Sequence, residues 1–258
     1  GVVTGTYRTG GKGPGLVDLN GRVERAQARR AARYLPLQIP QSVRDWIAAS
    51  VTGGELDDGR LRLRGDLADF PYRRAEEGEF TVSARLADGT LAYAPGWPAI
   101  ERLQGNLLFE RAGMTIAMRT GRVFGVTLGA TQAQLREYED GQLRIDGSGE
   151  GPAQDMIRFV NDSPVATRID DFTRDTVARG DAKLQLRLDL PLGALEQTRV
   201  AGTVQFRGND LTLDSTIPPF SAVSGALEFS ERGLALRGIG ATFLGGPLRV
   251  DGETPEPG

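Results

Sequence analysis

A stretch of this 258-residue chain recurs 120 residues later without a gap. Leu91, Pro98, Gly105, Leu107, Phe109, Gly113, Gly125 and Leu128 return as Leu211, Pro218, Gly225, Leu227, Phe229, Gly233, Gly245 and Leu248. Conservative pairs fill the gaps: Leu103 with Val223, Met114 with Leu234, Ile116 with Leu236. Upstream, Val82, Ala84 and Leu86 fall in step with Gly202, Val204 and Phe206. The repeat therefore covers residues 80–130 and 200–250. An internal period of this kind points to an elongated structure that grows by adding units, rather than to a closed enzyme domain.

Inside and around the repeat, apolar and polar residues alternate, which is the pattern of a strand with one buried face. Arg60 to Arg64 reads as one strand. Phe80, Val82, Ala84 and Leu86 form a second, ending at Asp88-Gly89. Leu91 and Tyr93 begin a third. Leu107 and Phe109 followed by Met114, Ile116 and Met118 read as a hairpin turning at Arg111-Ala112-Gly113. Val126, Leu128 and Ala130 follow, then Leu143 and Ile145. Further strands carry Leu184, Leu186, Leu188 and Leu190; Val200, Val204 and Phe206; Leu211 and Leu213; Leu227 and Phe229; Leu234 and Leu236; Leu248 and Val250. The chain holds 35 glycines, nearly twice the usual share of about 7%. With its Asp-Gly corners, this describes a dozen or more strands joined by short turns, in a mainly antiparallel sheet.

Helical signals are few. Glu24 to Tyr34 is rich in Ala, Arg and Gln and stops before Pro36. Pro40 to Val51 is amphipathic, with Val43, Trp46, Ile47 and Val51 on one side and Gly53-Gly54 at its end. Together these make a helical insertion over residues 24–51. Pro152 to Asn161 is a third helix. Residues 253–258 read as a disordered tail. Three short helices cannot cover the apolar face of so many strands. Either the sheet closes on itself as a sandwich or barrel, or it curls into a trough whose floor something else covers. The repeat favours one continuous curled sheet over residues 1–258.

Composition narrows the chemistry. There is no His and no Cys. The usual general base near neutral pH and the commonest metal ligand are missing, and so are thiolate nucleophiles, structural zinc and redox pairs. No cofactor is implied. A net charge of −3 argues against general nucleic-acid binding. No apolar run reaches the roughly 18 residues of a membrane span. The chain starts at Gly1 without a signal peptide and reads as a section cut from a longer protein.

The residues that could carry chemistry have plainer readings. Asp57-Asp58, Glu76-Glu77 and Asp170-Asp171 could pair as glycosidase carboxylates, but neighbours in a strand face opposite ways and acidic pairs in turns are solvated. Gly10-Gly11-Lys12-Gly13-Pro14-Gly15 lacks the Ser/Thr ending and following helix of a phosphate loop and reads as a mobile hairpin loop. Arg22, Arg25, Arg29, Arg30 and Arg33 could meet anionic lipid headgroups or nucleic acid, but a solvated helix face is the plainer account. Trp46 and Trp97 read as packing residues.

Several segments together resemble the YhdP branch of the AsmA-like proteins. They are Arg33-Tyr34-Leu35-Pro36, Arg44-Asp45-Trp46-Ile47, Arg64-Gly65-Asp66-Leu67-Ala68-Asp69-Phe70-Pro71, and Gly89-Thr90-Leu91-Ala92-Tyr93 leading into Gly96-Trp97-Pro98. Ile157-Arg158-Phe159-Val160 with Ser163-Pro164, Leu190-Pro191-Leu192 and Gly245-Gly246-Pro247-Leu248 complete the set. The resemblance implies a periplasmic section of a large protein anchored in the inner membrane of Gram-negative bacteria. It implies a curled β-sheet with an apolar groove, no enzyme activity, and phospholipid movement to the outer membrane. Phospholipid acyl chains and, through the rest of the protein, inner- and outer-membrane components would be its partners. The related TamB-like proteins suggest a second role, as a scaffold for inserting outer-membrane proteins. Under the first role, alternation selects the groove residues Leu61, Leu63, Val82, Leu86, Leu107, Phe109, Met114, Ile116, Leu184, Leu186, Leu188, Val204, Phe206, Leu227, Phe229, Leu234 and Leu236.

Overall fold

The computed structural model describes residues 1–34, 41–138 and 141–254. Its fifteen strands form one sheet, and every pairing between them is antiparallel. The strands are β1 (Val2–Arg8), β2 (Leu16–Gln27), β3 (Val51–Asp66), β4 (Gly78–Leu91), β5 (Ile100–Glu110), β6 (Gly113–Val123), β7 (Val126–Leu128) and β8 (Thr131–Leu135). They continue as β9 (Gln142–Pro152), β10 (Val177–Arg179), β11 (Asp181–Pro191), β12 (Arg199–Thr212), β13 (Phe220–Ser230), β14 (Leu234–Phe243) and β15 (Gly246–Glu253). Almost every strand pairs with its neighbour in sequence. The short β7 and β8 share one place between β6 and β9, and β10 extends the pairing of β12. The fold is mainly β, a single curled antiparallel sheet.

The curl has a local cause. Strands bend where one extra residue takes a left-handed backbone and bulges from the ladder. Asp58, Asp88 and Arg102 do this, with φ of 49°, 51° and 52°, and the pairing shifts beside each of them. Each shift moves the alternation by one residue, so the apolar set stays on one face. Leu61 and Leu63 pair with Val82 and Phe80; beyond the Asp58 bulge it is Leu56 that meets Leu86.

The repeat is visible in these irregularities. The β12–β13 pairing slips around Asn209 where β4–β5 slips around Gly89. Asp88, Arg102 and Phe124 are matched by Gly208, Ala222 and Leu244, all at positive φ. The unit is also wider than the sequence match. A helical segment follows β2 and another follows β9. Ala28 opens the first, a 3-10 helix over Ala28–Tyr34 that leads to α1 (Gln41–Ser50). Ala153 opens the second, α2 (Ala153–Asn161), which is followed by α3 (Val165–Arg168). Both alanines are buried, and each sits on the apolar face of the sheet. Ala28 packs with Leu86 and Leu103. Ala153 packs with Ala178 and Ala182, against Val204, Phe206 and Leu211.

Several sequence expectations need correction. Glu24–Gln27 is strand rather than helix, because it completes the ladder of β2 against β3. The insertion therefore begins at Ala28, not at residue 24. Arg22 and Arg25 consequently lie on a strand, and Arg25 pairs with Glu55. Helix α1 ends at Ser50; Val51, Gly53 and Gly54 belong to β3. Asp88-Gly89 does not end a strand, since the chain bulges there and runs on to Leu91. Tyr93 lies in the following loop, and Leu213 and the exposed Ala130 fall outside strands. Trp46 is exposed, with its indole N–H donating to the Tyr93 carbonyl at 2.9 Å. Leu35, Pro36, Pro40 and residues 255–258 lie outside the described residues, as does the Val43 side chain. Glu253 is in β15 rather than a disordered tail.

The glycine-rich loop is pinned rather than loose. The Asp66 carboxylate accepts the Lys12 N–H at 2.8 Å and the Ala68 N–H at 3.0 Å. The Leu67 N–H donates to Gly15 O, and the Lys12 ammonium stands 3.5 Å from Asp69. An internal carboxylate thus occupies the loop's donor. Those bonds, from Lys12 first and Ala68 second, hold the Asp66 carboxyl below its ordinary range. The stabilisation is present in full above the unfolded carboxylate value of about 3.9, and is lost as pH falls through the lower folded value. Exchange of the Lys12 and Ala68 amides, followed by NMR, should speed up across that acid window. In Asp66→Asn it should already be fast at neutral pH. Leu103→Ala should cost about 2–4 kcal/mol, because it opens a cavity under Ala28. Urea denaturation of this section would measure that loss.

Candidate functional site

Residues directly opposed across an antiparallel ladder point to the same side of the sheet. Following the pairings across the strands therefore fixes which side chains share a face. One row runs Leu61, Val82, Phe109, Met114, Leu135, Leu143, Leu190. The next runs Ala84, Leu107, Ile116, Ala133, Ile145, Leu188, Val200. Farther along, Leu186, Gly202, Phe229 and Leu234 form a row, and Leu184, Val204, Leu227 and Leu236 another. Leu63 lies opposite Phe80, Leu86 opposite Gly105, and Phe206 opposite Ala182. Every residue that alternation selected lies on this one face.

Residues not selected complete it. Val17 and Leu19 of β2 continue the row through Gly65 and Leu63. Leu135, Leu143, Ile145, Leu190 and Val200 fill the middle. All but those on β2 and β8 lay in segments already readable as strands, so extending the alternation by two residues would have found them.

Most of this face is half-buried. Leu234 is 44% exposed, whereas Leu86 is only 8% exposed because it sits beneath Ala28. Leu86 is buried under the first helical segment, while Val204 and Phe206 stay half-buried beside the Ala153–Ala178–Ala182 cluster. The β3–β4 connection covers a further patch, with Tyr72 against Gly65 and Gly78 and Phe70 against Phe80; much of the remaining floor is half-buried. Glycines on the floor are filled by neighbours: the Phe229 ring lies across Gly202, and Met118 lies across Gly105. The surface is thereby evened out at these two positions.

The helical segments lie toward the strand ends that carry Ile100 and Leu211. An aromatic chain links them. Trp46 of α1 bonds to Tyr93, the Tyr93 and Trp97 rings are 5.9 Å apart, and Trp97 and Phe159 of α2 are 5.8 Å apart. Burial raises the Tyr93 phenol to about 12. Trp97 thus bridges the two helical segments.

The opposite face is polar and laced with ion pairs. Across β9 and β11, Arg144 meets Asp189 at 2.8 Å, Arg187 meets Asp146 at 2.6 Å, and Lys183 meets Glu150 at 3.0 Å. Arg62 lies between Asp18 and Glu79, and Arg237 between Glu228 and Glu253. Such exposed pairs contribute little individually, but together they mark this face as the one turned to water. The acidic doublets belong to the same pattern. Asp57 pairs with Arg85, Asp58 with Arg60, Glu77 with Arg74, and Asp171 with Arg174. Glu76 also approaches Arg74, at 3.6 Å, so both carboxylates of that doublet are taken up by one guanidinium. Among the described residues no acidic cluster is placed to hold a metal ion, and no helix is long and apolar enough to cross a membrane.

The YhdP protein family matches residues 2–258. The intermembrane phospholipid transporter YhdP of Escherichia coli (strain K12) is 29% identical over 231 residues. That match covers 88% of this chain and 18% of the relative, so the chain spans less than a fifth of that protein's length. No solved structure matches. By the extent of the family match, this chain belongs to the YhdP protein family.

Proposed function

We propose that this chain is a non-enzymatic section of a periplasmic conduit, along which phospholipid acyl chains slide between the inner and outer membranes of a Gram-negative envelope. The observation that carries the reading is the single apolar face, continuous across the strands and half-buried over much of its area. The name of the E. coli relative supplies the cargo. Anchoring in the inner membrane and contact with components of both membranes would belong to other parts of the protein.

The energetics suit such a role. Exposing one CH₂ to water costs about 0.8 kcal/mol, so a 16-carbon chain costs roughly 13 kcal/mol. A floor of Leu, Val, Ile, Phe and Met side chains removes most of that barrier at each step. A headgroup can stay in water above the open side. The sheet has thirteen strands along its path, which at about 4.8 Å per step gives a track of roughly 58 Å. Filled glycines favour motion, since a lipid held in one deep site would not leave it. The floor residues available to a tail are Leu61, Leu63, Val82, Leu107, Phe109, Met114, Ile116, Leu184, Leu186, Leu188, Val204, Phe206, Leu227, Phe229, Leu234 and Leu236.

The test uses the two faces of the same strands in the full-length protein. Leu186→Asp and Phe229→Asp place a charge on the floor. Gln185→Asp and Ser230→Asp place the same charge on the polar face, where both positions pair with polar-face neighbours. Lipid transfer should fall at least tenfold for the floor variants, in line with burying an unpaired charge at a cost above about 1.4 kcal/mol. It should be nearly unchanged for the polar-face pair. Equal losses from both pairs, at equal protein levels, would remove the groove reading.

A further inference from the structure

The two repeat units differ at one place. In the first, the β6–β7 turn Phe124-Gly125 is docked against α2. The Arg158 guanidinium lies 4.0 Å from the centre of the Phe124 ring. The Asp155 carboxylate accepts the Gly125 N–H at 3.1 Å. A methyl group added at Gly125 would strike that carboxylate and approach the Pro152 ring at 3.4 Å. In the second unit the matching β14–β15 turn is Leu244-Gly245. It has the same backbone, with φ of 51° at Leu244 against 52° at Phe124. Yet Leu244 is 76% exposed, the barest of the large apolar side chains among the described residues. A methyl group added at Gly245 would meet nothing within 4 Å.

A left-handed backbone at a leucine costs roughly 1–2 kcal/mol. Keeping it in order to display an apolar side chain to water has no stabilising return within this section. The first unit shows what such a turn is for. Helix α2 touches the Phe124 turn of its own unit, and its first residue, Ala153, joins Ala178 and Ala182 in the buried cluster against which Val204 and Phe206 of the next unit pack. It therefore lies where successive units meet. The first helical segment repeats part of this arrangement: Arg33 stands five residues after buried Ala28, as Arg158 stands five after Ala153.

We propose that the Leu244-Gly245 turn is the docking site for a third helical segment of the longer protein. By the spacing from Gly125 to Ala153, that helix would start about 28 residues beyond Gly245. It would carry a carboxylate in its first turn to accept the Gly245 N–H, where the helix dipole also favours a negative charge. An apolar side chain or an arginine stem one turn later would cover Leu244. The inference does not depend on what the groove carries.

The experiment uses full-length protein in its native envelope, with p-benzoylphenylalanine at Leu244 and, in parallel, at Phe124. After irradiation and digestion, the Phe124 probe should link to the peptide containing α2. The Leu244 probe should link to a peptide of the same chain about 25–40 residues further on. A link from Leu244 to lipid or to another protein would overturn the proposal, as would no link at all. Amide exchange gives a second readout. Leu244→Asp should speed exchange about tenfold in the downstream helix and leave α2 unchanged. An unchanged exchange map would also overturn it.

Discussion

The structure depends on one constraint. An antiparallel sheet can leave a polar face in water, but an apolar face must be taken out of it. Here, among the described residues, cover over the apolar face comes from Ala28 above Leu86, from Ala153 beside the Ala178–Ala182 cluster, and from Tyr72 and Phe70 of the β3–β4 connection. The rest is shielded in part by the sheet's own curvature, which the bulges supply, and by residues such as Phe229 and Met118 lying across glycines. Most floor side chains stay half-buried, while Val17, Phe80 and Leu135 are buried. Arg144, Arg187 and Lys183 with their partners hold the other face in water, so the sheet cannot invert its two sides without losing both arrangements.

The repeat turns this local solution into an extended one. Bulges at matched positions bend the strands at matched places, so the floor continues from one unit to the next at similar curvature. Helical segments recur at the same point of each unit, and Trp97 ties two of them together. A fold assembled in this way has no single centre. Its distinguishing property is length, which the proposed passage between two membranes requires.

Much of this was legible in the sequence, for a physical reason. Alternation reports which side of a strand is buried, and pairing in an antiparallel sheet preserves that side from strand to strand. The floor residues could thus be named without knowing which strands were neighbours. Boundaries were less legible. Glu24–Gln27 has helix-forming residues, but pairing with β3 outweighs that preference. Asp88-Gly89 looks like a turn because a bulge needs the same residue types as a turn. The covered positions were not legible at all. Nothing local distinguishes Leu86, under Ala28, from Leu107, which is open, since the difference comes from a segment nearly sixty residues away in sequence. Tyr72 is another such case. It is fully buried against Gly65 and Gly78, where only the folded-back β3–β4 connection brings it.

The central claim is that the apolar face is a lipid path rather than an unfinished protein core. The most direct measurement is photo-crosslinking in cells to radiolabelled phospholipid, with the probe in the full-length protein at Phe229 and, separately, at Glu228. The two are adjacent in β13 and face opposite sides, with Phe229 over Gly202 and Glu228 paired with Arg237. The account predicts label at 229 and none at 228. Label at neither position, in folded protein at normal levels, would mean that protein covers the face and would contradict the account.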